Sequence, residues 1–194
     1  MLKKIHRFSE DKITPMNLEE ARQSFPGLQD KVFLDAACVS LTPRQSREAI
    51  VDFLDMALFC RAEDASLHHI QMDGLREEAV QQSARLLNVS PKNIALVEST
   101  THGLNIAVNA LKLQKRDNVL IADTEFLQVA IPWVKKSEQA GIEVRPVRSH
   151  HEGVLTVADF ERAMDGQTRA VCVSSVQWCT GYRLDMQRLG QLCR

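Results

Sequence analysis

Asn118-Val-Leu-Ile-Ala122-Asp123-Thr-Glu125-Phe126-Leu-Gln-Val-Ala-Ile-Pro132-Trp133 decides the class of fold. Its first five residues form a short β-prone run, apolar on both faces, and a helical stretch over 128–140 follows. A strand apolar on both faces has to be covered on both, as in a parallel sheet between helices. The same alternation repeats outward. Ile94-Ala-Leu-Val97, Ile142-Glu-Val-Arg-Pro-Val147 and Arg169-Ala-Val-Cys-Val-Ser174 are further β-prone runs, with helical stretches at 101–112 and 157–165. Strands alternating with helices describe an α/β fold with a mainly parallel sheet flanked by helices. Its crossovers are expected to be right-handed.

Upstream, Asn17-Leu-Glu-Glu20 has the form of a capping box, which starts a short helix ending before Pro26-Gly27. Val32-Phe-Leu-Asp35 reads as a short strand. Thr42-Pro43-Arg-Gln45 reads as a helix start with Thr42 as the cap. Ala49, Ile50, Phe53, Leu54, Ala57 and Leu58 carry that helix to about Arg61 at apolar helical spacing. Another helix is expected from about Ser66 to Leu87, stopped by Asn88 and Ser90-Pro91. The final helix, from about Leu184, runs into Arg194 without a capping glycine or a following strand, so the sequence reads as a fragment of a larger fold.

Composition removes several function classes. The 194 residues carry 24 basic and 25 acidic side chains, a net charge of -1, with 44% hydrophobic and 25% charged residues. These are the proportions of a soluble globular protein. Without a basic surplus, nucleic acid is not an expected partner. No run of about 18 apolar residues is present, so no membrane span is expected. The basic start Met1-Leu-Lys-Lys-Ile-His-Arg7 leads into no apolar stretch and is not a secretory signal. Cys38, Cys60, Cys172, Cys179 and Cys193 form no C-x-x-C pair, which reads as reduced thiols in the cytoplasm. Cys179, in a polar loop, is the one weighed as reactive, against the usual part of Cys as a small buried hydrophobe. The pairs His68-His69 and His150-His151 lack a third ligand at metal spacing, so no metal is expected.

Three segments at strand–helix junctions carry the chemistry. Glu98-Ser99-Thr100-Thr101-His102-Gly103-Leu104-Asn105 places three hydroxyl residues at a helix amino end, where amides and dipole favour an anion such as phosphate. An ordinary N-cap explains the same residues. Phe126 lies at the carboxyl end of a strand, where its ring reaches a planar ligand or simply packs. Trp133, further along the helix, reads as core. In Val173-Ser-Ser-Val-Gln177-Trp178-Cys-Thr-Gly181, Gln177 reaches a ligand or satisfies a turn.

Phe33-Leu-Asp35-Ala36-Ala37, Ser99-Thr100-Thr101-x-Gly103-x-Asn105, Glu125-Phe126 with Pro132-Trp133, and Gln177-Trp178-x-x-Gly181 follow in this order. Over residues 20–194 the chain resembles the N-terminal part of the class V aminotransferase superfamily, a group that includes cysteine desulfurases, kynureninase and isopenicillin N epimerase-like proteins. The resemblance implies pyridoxal 5'-phosphate as cofactor and the partial large domain of a fold type I transferase. Residues 1–30 would form an arm and helix, and residues 31–194 the truncated large domain. Ser99, Thr100 and Thr101 match the phosphate loop, and Phe126 matches the position that stacks on the pyridine ring. Cysteine desulfurases usually carry His there, so Phe126 is closer to kynureninase. Gln177 or Trp178 falls where an Asn often approaches the phenolic oxygen, and Ala36 and Ala37 match a segment near the substrate carboxylate.

The resemblance further implies an amino-acid substrate, a homodimer, and transamination or elimination. None of the nine lysines sits in a segment like the family's Schiff-base Lys motif, so no catalytic residue is assigned in this chain and it is expected to be inactive alone. Two other readings stay open. One is a non-catalytic truncated paralogue serving in binding or assembly. The other is an unrelated nucleotide-binding α/β module, which the lack of G-x-G-x-x-G and Walker sequences disfavours.

Overall fold

The computed structural model describes residues 16–37, 39–60 and 62–194, so the basic start and Cys38 lie outside it. The described residues fall into two units, with the boundary between Asp73 and Gly74.

In the first unit, α1 (Leu18–Gln23) begins at the expected capping box. Asn17 Oδ1 accepts the Glu20 amide at 2.9 Å, and Glu20 Oε2 accepts the Asn17 amide at 3.0 Å. The next helix, α2 (Arg44–Phe59), starts after Pro43 rather than after Thr42. Pro43 has an extended ψ of 155°, which makes it the flanking residue, and no side chain caps the helix. Cys60, left-handed at φ 41°, ends it. The apolar positions of α2 have the expected spacing, but Ile50, Phe53, Leu54 and Leu58 are all exposed. Val32–Asp35 forms no strand. An apolar run becomes a strand only with a neighbour to take its backbone hydrogen bonds, and here Val32 and Leu34 face solvent. Helix α3 (Ala65–Leu87) carries the chain across the boundary, with His68 and His69 inside its first turns.

The second unit holds a three-stranded sheet between helices. After α4 (Thr100–Ala110) come β1 (Asn118–Ala122), α5 (Leu127–Ala140), β2 (Glu143–Val147), α6 (Val157–Ala163), β3 (Thr168–Cys172) and α7 (Met186–Leu192). The order is β2-β1-β3, with both pairings parallel. Strand β1 is central and buried throughout, as its two-sided apolar sequence requires. Val119 and Ile121 pack with Val108 of α4, Trp133 of α5 and Ile142. Leu120 and Ala122 face the other way, into Val147, Leu155, Val157, Phe160 of α6, Leu184 and Leu189 of α7. The sheet is therefore covered on both faces, as expected. Ile94–Val97 is not a strand: among the described residues it has no ladder partner, and Leu96 and Val97 are exposed.

A polar network closes the amino ends of the strands. Buried Asn118 donates to Asp165 Oδ1 at 2.7 Å, and Arg145 Nη1 donates to Asp165 Oδ2 at 2.9 Å. The Asn118 amide, then Arg145 and the Gln167 backbone amide, hold the Asp165 carboxyl down to about 2. An unfolded Asp titrates near 4, so this contribution is complete above about pH 4 and is lost as the pH falls toward 2. Asp165→Asn is expected to flatten the acid limb of the stability curve, read from denaturation midpoints between about pH 5 and about pH 2.

Candidate active-site crevice

Strand β1 leads into α5 on the Val119 face, whereas β3 leads into α7 on the Leu120 face. Two neighbouring parallel strands thus send their chains to opposite sides of the sheet. At such a switch point a crevice opens beyond the carboxyl ends of the strands, the usual ligand position in open α/β sheets.

One carboxylate spans the two sides of this crevice. Glu125, three residues beyond β1, accepts the Ser174 amide at 2.6 Å, the Ser174 hydroxyl at 2.7 Å and Gln177 Nε2 at 2.9 Å. A carboxylate only accepts, so three donors converging on it fix its position. Gln177 is 3% exposed, and its other amide atom, Oε1, is buried with no hydrogen-bond partner. The Thr124 hydroxyl is likewise buried and unpartnered. Trp178 Nε1 donates to the Thr124 carbonyl at 3.1 Å, and the Phe126 and Trp178 rings meet edge to face at 5.1 Å and 75°. A ring pair of this geometry is a favourable aromatic contact.

The local sequence explains why Gln177 turns inward. Gly181, at φ 69°, lets the chain double back, so that the Gln177 amide donates to the Tyr182 carbonyl and the Gly181 amide to the Gln177 carbonyl. The loop after β2 reaches the same region. Asp123 Oδ1 accepts the Ser149 amide at 3.0 Å. Gly153 stands at φ 74°, where a Cβ would lie 2.6 Å from the Thr180 methyl. Gly153→Ala therefore meets left-handed strain and a steric clash together. The expected loss is about 2 kcal/mol of stability, measured by chemical denaturation.

Phe126 and Gln177 thus lie on either side of one hydrogen-bonded cluster. Ser99 caps α4, its Oγ accepting the His102 amide at 3.1 Å. That is the plain capping role, and it leaves the Thr100 and Thr101 amides of the first turn for an outside acceptor. Helix α4 packs along α5, the helix that Phe126 precedes. Ala36 and Ala37 lie in an exposed turn of the first unit. Trp133 is core, 3% exposed. Cys179 is exposed, and burial, reinforced by the Glu125 charge, pushes the Cys172 thiol up.

Sequence reasoning passed over Glu125 and Ser174 as actors, although both stand in the quoted segments. The available signal was position: each is a polar residue just past the end of a β-prone run.

A family model described as aminotransferase class-V matches residues 32–194. The chain belongs to the class-V aminotransferase family. Among its relatives, a probable cysteine desulfurase of Methanothermobacter thermautotrophicus is 27% identical over 91% of this chain and 44% of its own length. An uncharacterized aminotransferase of Schizosaccharomyces pombe is 34% identical over 54% of this chain and 26% of its own length. The cysteine desulfurase CsdA of Escherichia coli shares the fold with a TM-score of 0.77 at 23% identity, over 92% of this chain and 46% of that one. A C-DES variant with glycine covalently linked to its PLP cofactor gives 0.79 at 22% identity, over 93% and 46%. The chain spans less than half the length of each of these proteins. Desulfurases stand among its relatives.

Proposed function

We propose that the second unit is the cofactor-binding, N-terminal part of a pyridoxal-phosphate enzyme acting on an amino acid, within a large domain covering residues 31–194. The observation that supports this reading is the buried, unpartnered Oε1 of Gln177 in the β1–β3 crevice, beside the unpartnered hydroxyl of Thr124. A buried polar atom without a partner is costly, and a polar ligand relieves that cost.

In this reading, the Thr100 and Thr101 amides and hydroxyls hold the phosphate, with Ser99 keeping the helix end open by capping it. Phe126 packs against the cofactor ring, and its edge is steadied by Trp178. Gln177 meets a polar group of the ring. When bound, the cofactor supplies an electron sink for a carbanion at the substrate α-carbon. The reaction is transamination or elimination, carried out by a homodimer in the cytoplasm. The chain alone is inactive, because none of its nine lysines matches the cofactor-linking Lys of the family.

Titrating the purified chain with pyridoxal 5'-phosphate tests this directly. The expected result is saturable quenching of Trp fluorescence and a perturbed visible spectrum, both reversed by dialysis. Phe126→Ala is expected to weaken binding about tenfold through loss of the ring contact. A lysine-linked band that survives dialysis would overturn the assignment of no cofactor-linking Lys. Absence of binding at millimolar cofactor would overturn the cofactor site and leave the assembly-protein reading.

A further inference from the structure

The connection from β2 to α6 is fastened at three points. The Ser149 amide donates to Asp123 Oδ1 at 3.0 Å, at the end of β1. The His150 ring meets Asp159 Oδ1 at 2.7 Å through Nε2, on the first turn of α6. A carboxylate only accepts, so Nε2 carries the hydrogen in this bond. The third point is Gly153, at the tip. The place where a side chain would stand on it is filled from both walls of the crevice, with the Thr180 methyl 2.6 Å and the Thr124 methyl 3.9 Å from the Cβ position. Thr124 precedes Glu125 and Phe126 on one wall, and Thr180 follows Gln177 and Trp178 on the other.

His150 carries the tip with it. Its amide donates to the Val154 carbonyl at 2.9 Å, and its carbonyl accepts the Gly153 amide at 3.1 Å. Glu152 and Gly153 are both left-handed, at φ 64° and 74°, so the tip is one tight turn built on His150. The His150 side chain is 57% exposed, whereas that of Asp159 is 4% exposed. Removing the ring therefore unfastens the turn and leaves the buried carboxylate paired with Arg162.

We propose that His150 is a positioning residue: by fastening the Gly153 turn to α6, it sets the spacing of the two crevice walls and so the affinity for the ligand between them. An opening of about 0.5–1 Å between packed groups forfeits a quarter to a half of their attraction, so a ligand held from two walls is sensitive to this spacing. The effect on affinity rests on the cofactor reading above; the effect on spacing does not.

Two measurements on the full chain test this. The first is nuclear magnetic resonance of the protein with labelled threonine methyls. Cross-peaks from the Gly153 α-hydrogens to the Thr180 and Thr124 methyls are expected without any ligand. They should weaken in His150→Ala and return in His150→Gln, whose amide donates to Asp159 in place of the imidazole. Arg162→Ala removes the other partner of the same carboxylate without touching the loop, so it should leave them unchanged. Cross-peaks that keep their full strength in His150→Ala would overturn the positioning role, and so would an equal loss in Arg162→Ala.

The second is titration of the same variants with pyridoxal 5'-phosphate. His150→Ala is expected to bind about three- to fivefold more weakly than the unsubstituted chain, while His150→Gln and Arg162→Ala bind as it does. Equal binding by His150→Ala and the unsubstituted chain would overturn the control of affinity. If no chain binds while the cross-peaks respond as described, the cofactor reading fails and the fastening of the walls by His150 stands.

Discussion

Phe160→Ala is expected to remove about 3–5 kcal/mol from the second unit, the largest effect of any single substitution proposed for this chain. Phe160 is fully buried on α6, in the cluster formed by Leu120, Ala122, Val147, Leu155, Leu184 and Leu189. That cluster joins one face of the central strand to α6 and α7, so the cavity would open beneath the sheet rather than at a surface that can collapse. The measurement is a denaturant melt followed by the near-ultraviolet signal of Trp133, which lies buried on the opposite face. A loss below about 1 kcal/mol would mean that this face is not packed as described.

Asp159→Ala should come next, with a loss of about 2–3 kcal/mol. The Asp159 carboxylate closes the capping box of α6, accepting the Thr156 amide at 2.7 Å and hydroxyl at 2.6 Å. It also takes His150 Nε2 at 2.7 Å and pairs with Arg162. Burial alone would raise its pKa, but the Thr156 and His150 hydrogen bonds outweigh burial and hold the carboxyl below its ordinary value. A depressed carboxyl stabilises the fold above the unfolded value near 4 and loses that contribution as the pH falls below it. The deficit of Asp159→Ala is therefore expected to be full near neutral pH and to shrink in acid, read from paired melts of variant and parent. His150 follows Ser149, whose amide is bound to Asp123 at the crevice, so the variant should also loosen the β2 loop there.

Much of the sheet was legible because its signals are local. The run at 118–122 is apolar on both faces, and that pattern alone requires a central, covered strand. The Asn17–Glu20 capping box is likewise a matter of a few residues. What failed depended on partners. Val32–Asp35 and Ile94–Val97 have strand-like residues, yet strand formation is a pairing event, and neither has a ladder neighbour among the described residues. The start of α2 was misread by one residue because a proline suits both the first helical position and the extended residue before it.

The candidate site was legible as residue types and not as geometry. Phe126 and Gln177 could be named from their segments, but nothing local shows that Glu125 ties their two loops together. Its three bonds cross about fifty residues of sequence and exist only because β3 lies beside β1.

That separation governs how the crevice comes into being. Glu125 is 49 positions from Ser174 and 52 from Gln177, with β2, α5 and α6 in the interval. Closing so long a loop is entropically slow, and nonlocal parallel pairings form late compared with helices. The Glu125 cluster therefore needs β3 docked on β1. A ligand bound there holds that docking in place, adding its binding free energy to the stability of the folded unit. A ligand that uses this cluster is expected to bind only chains in which β3 is docked on β1, so its occupancy would report completed folding.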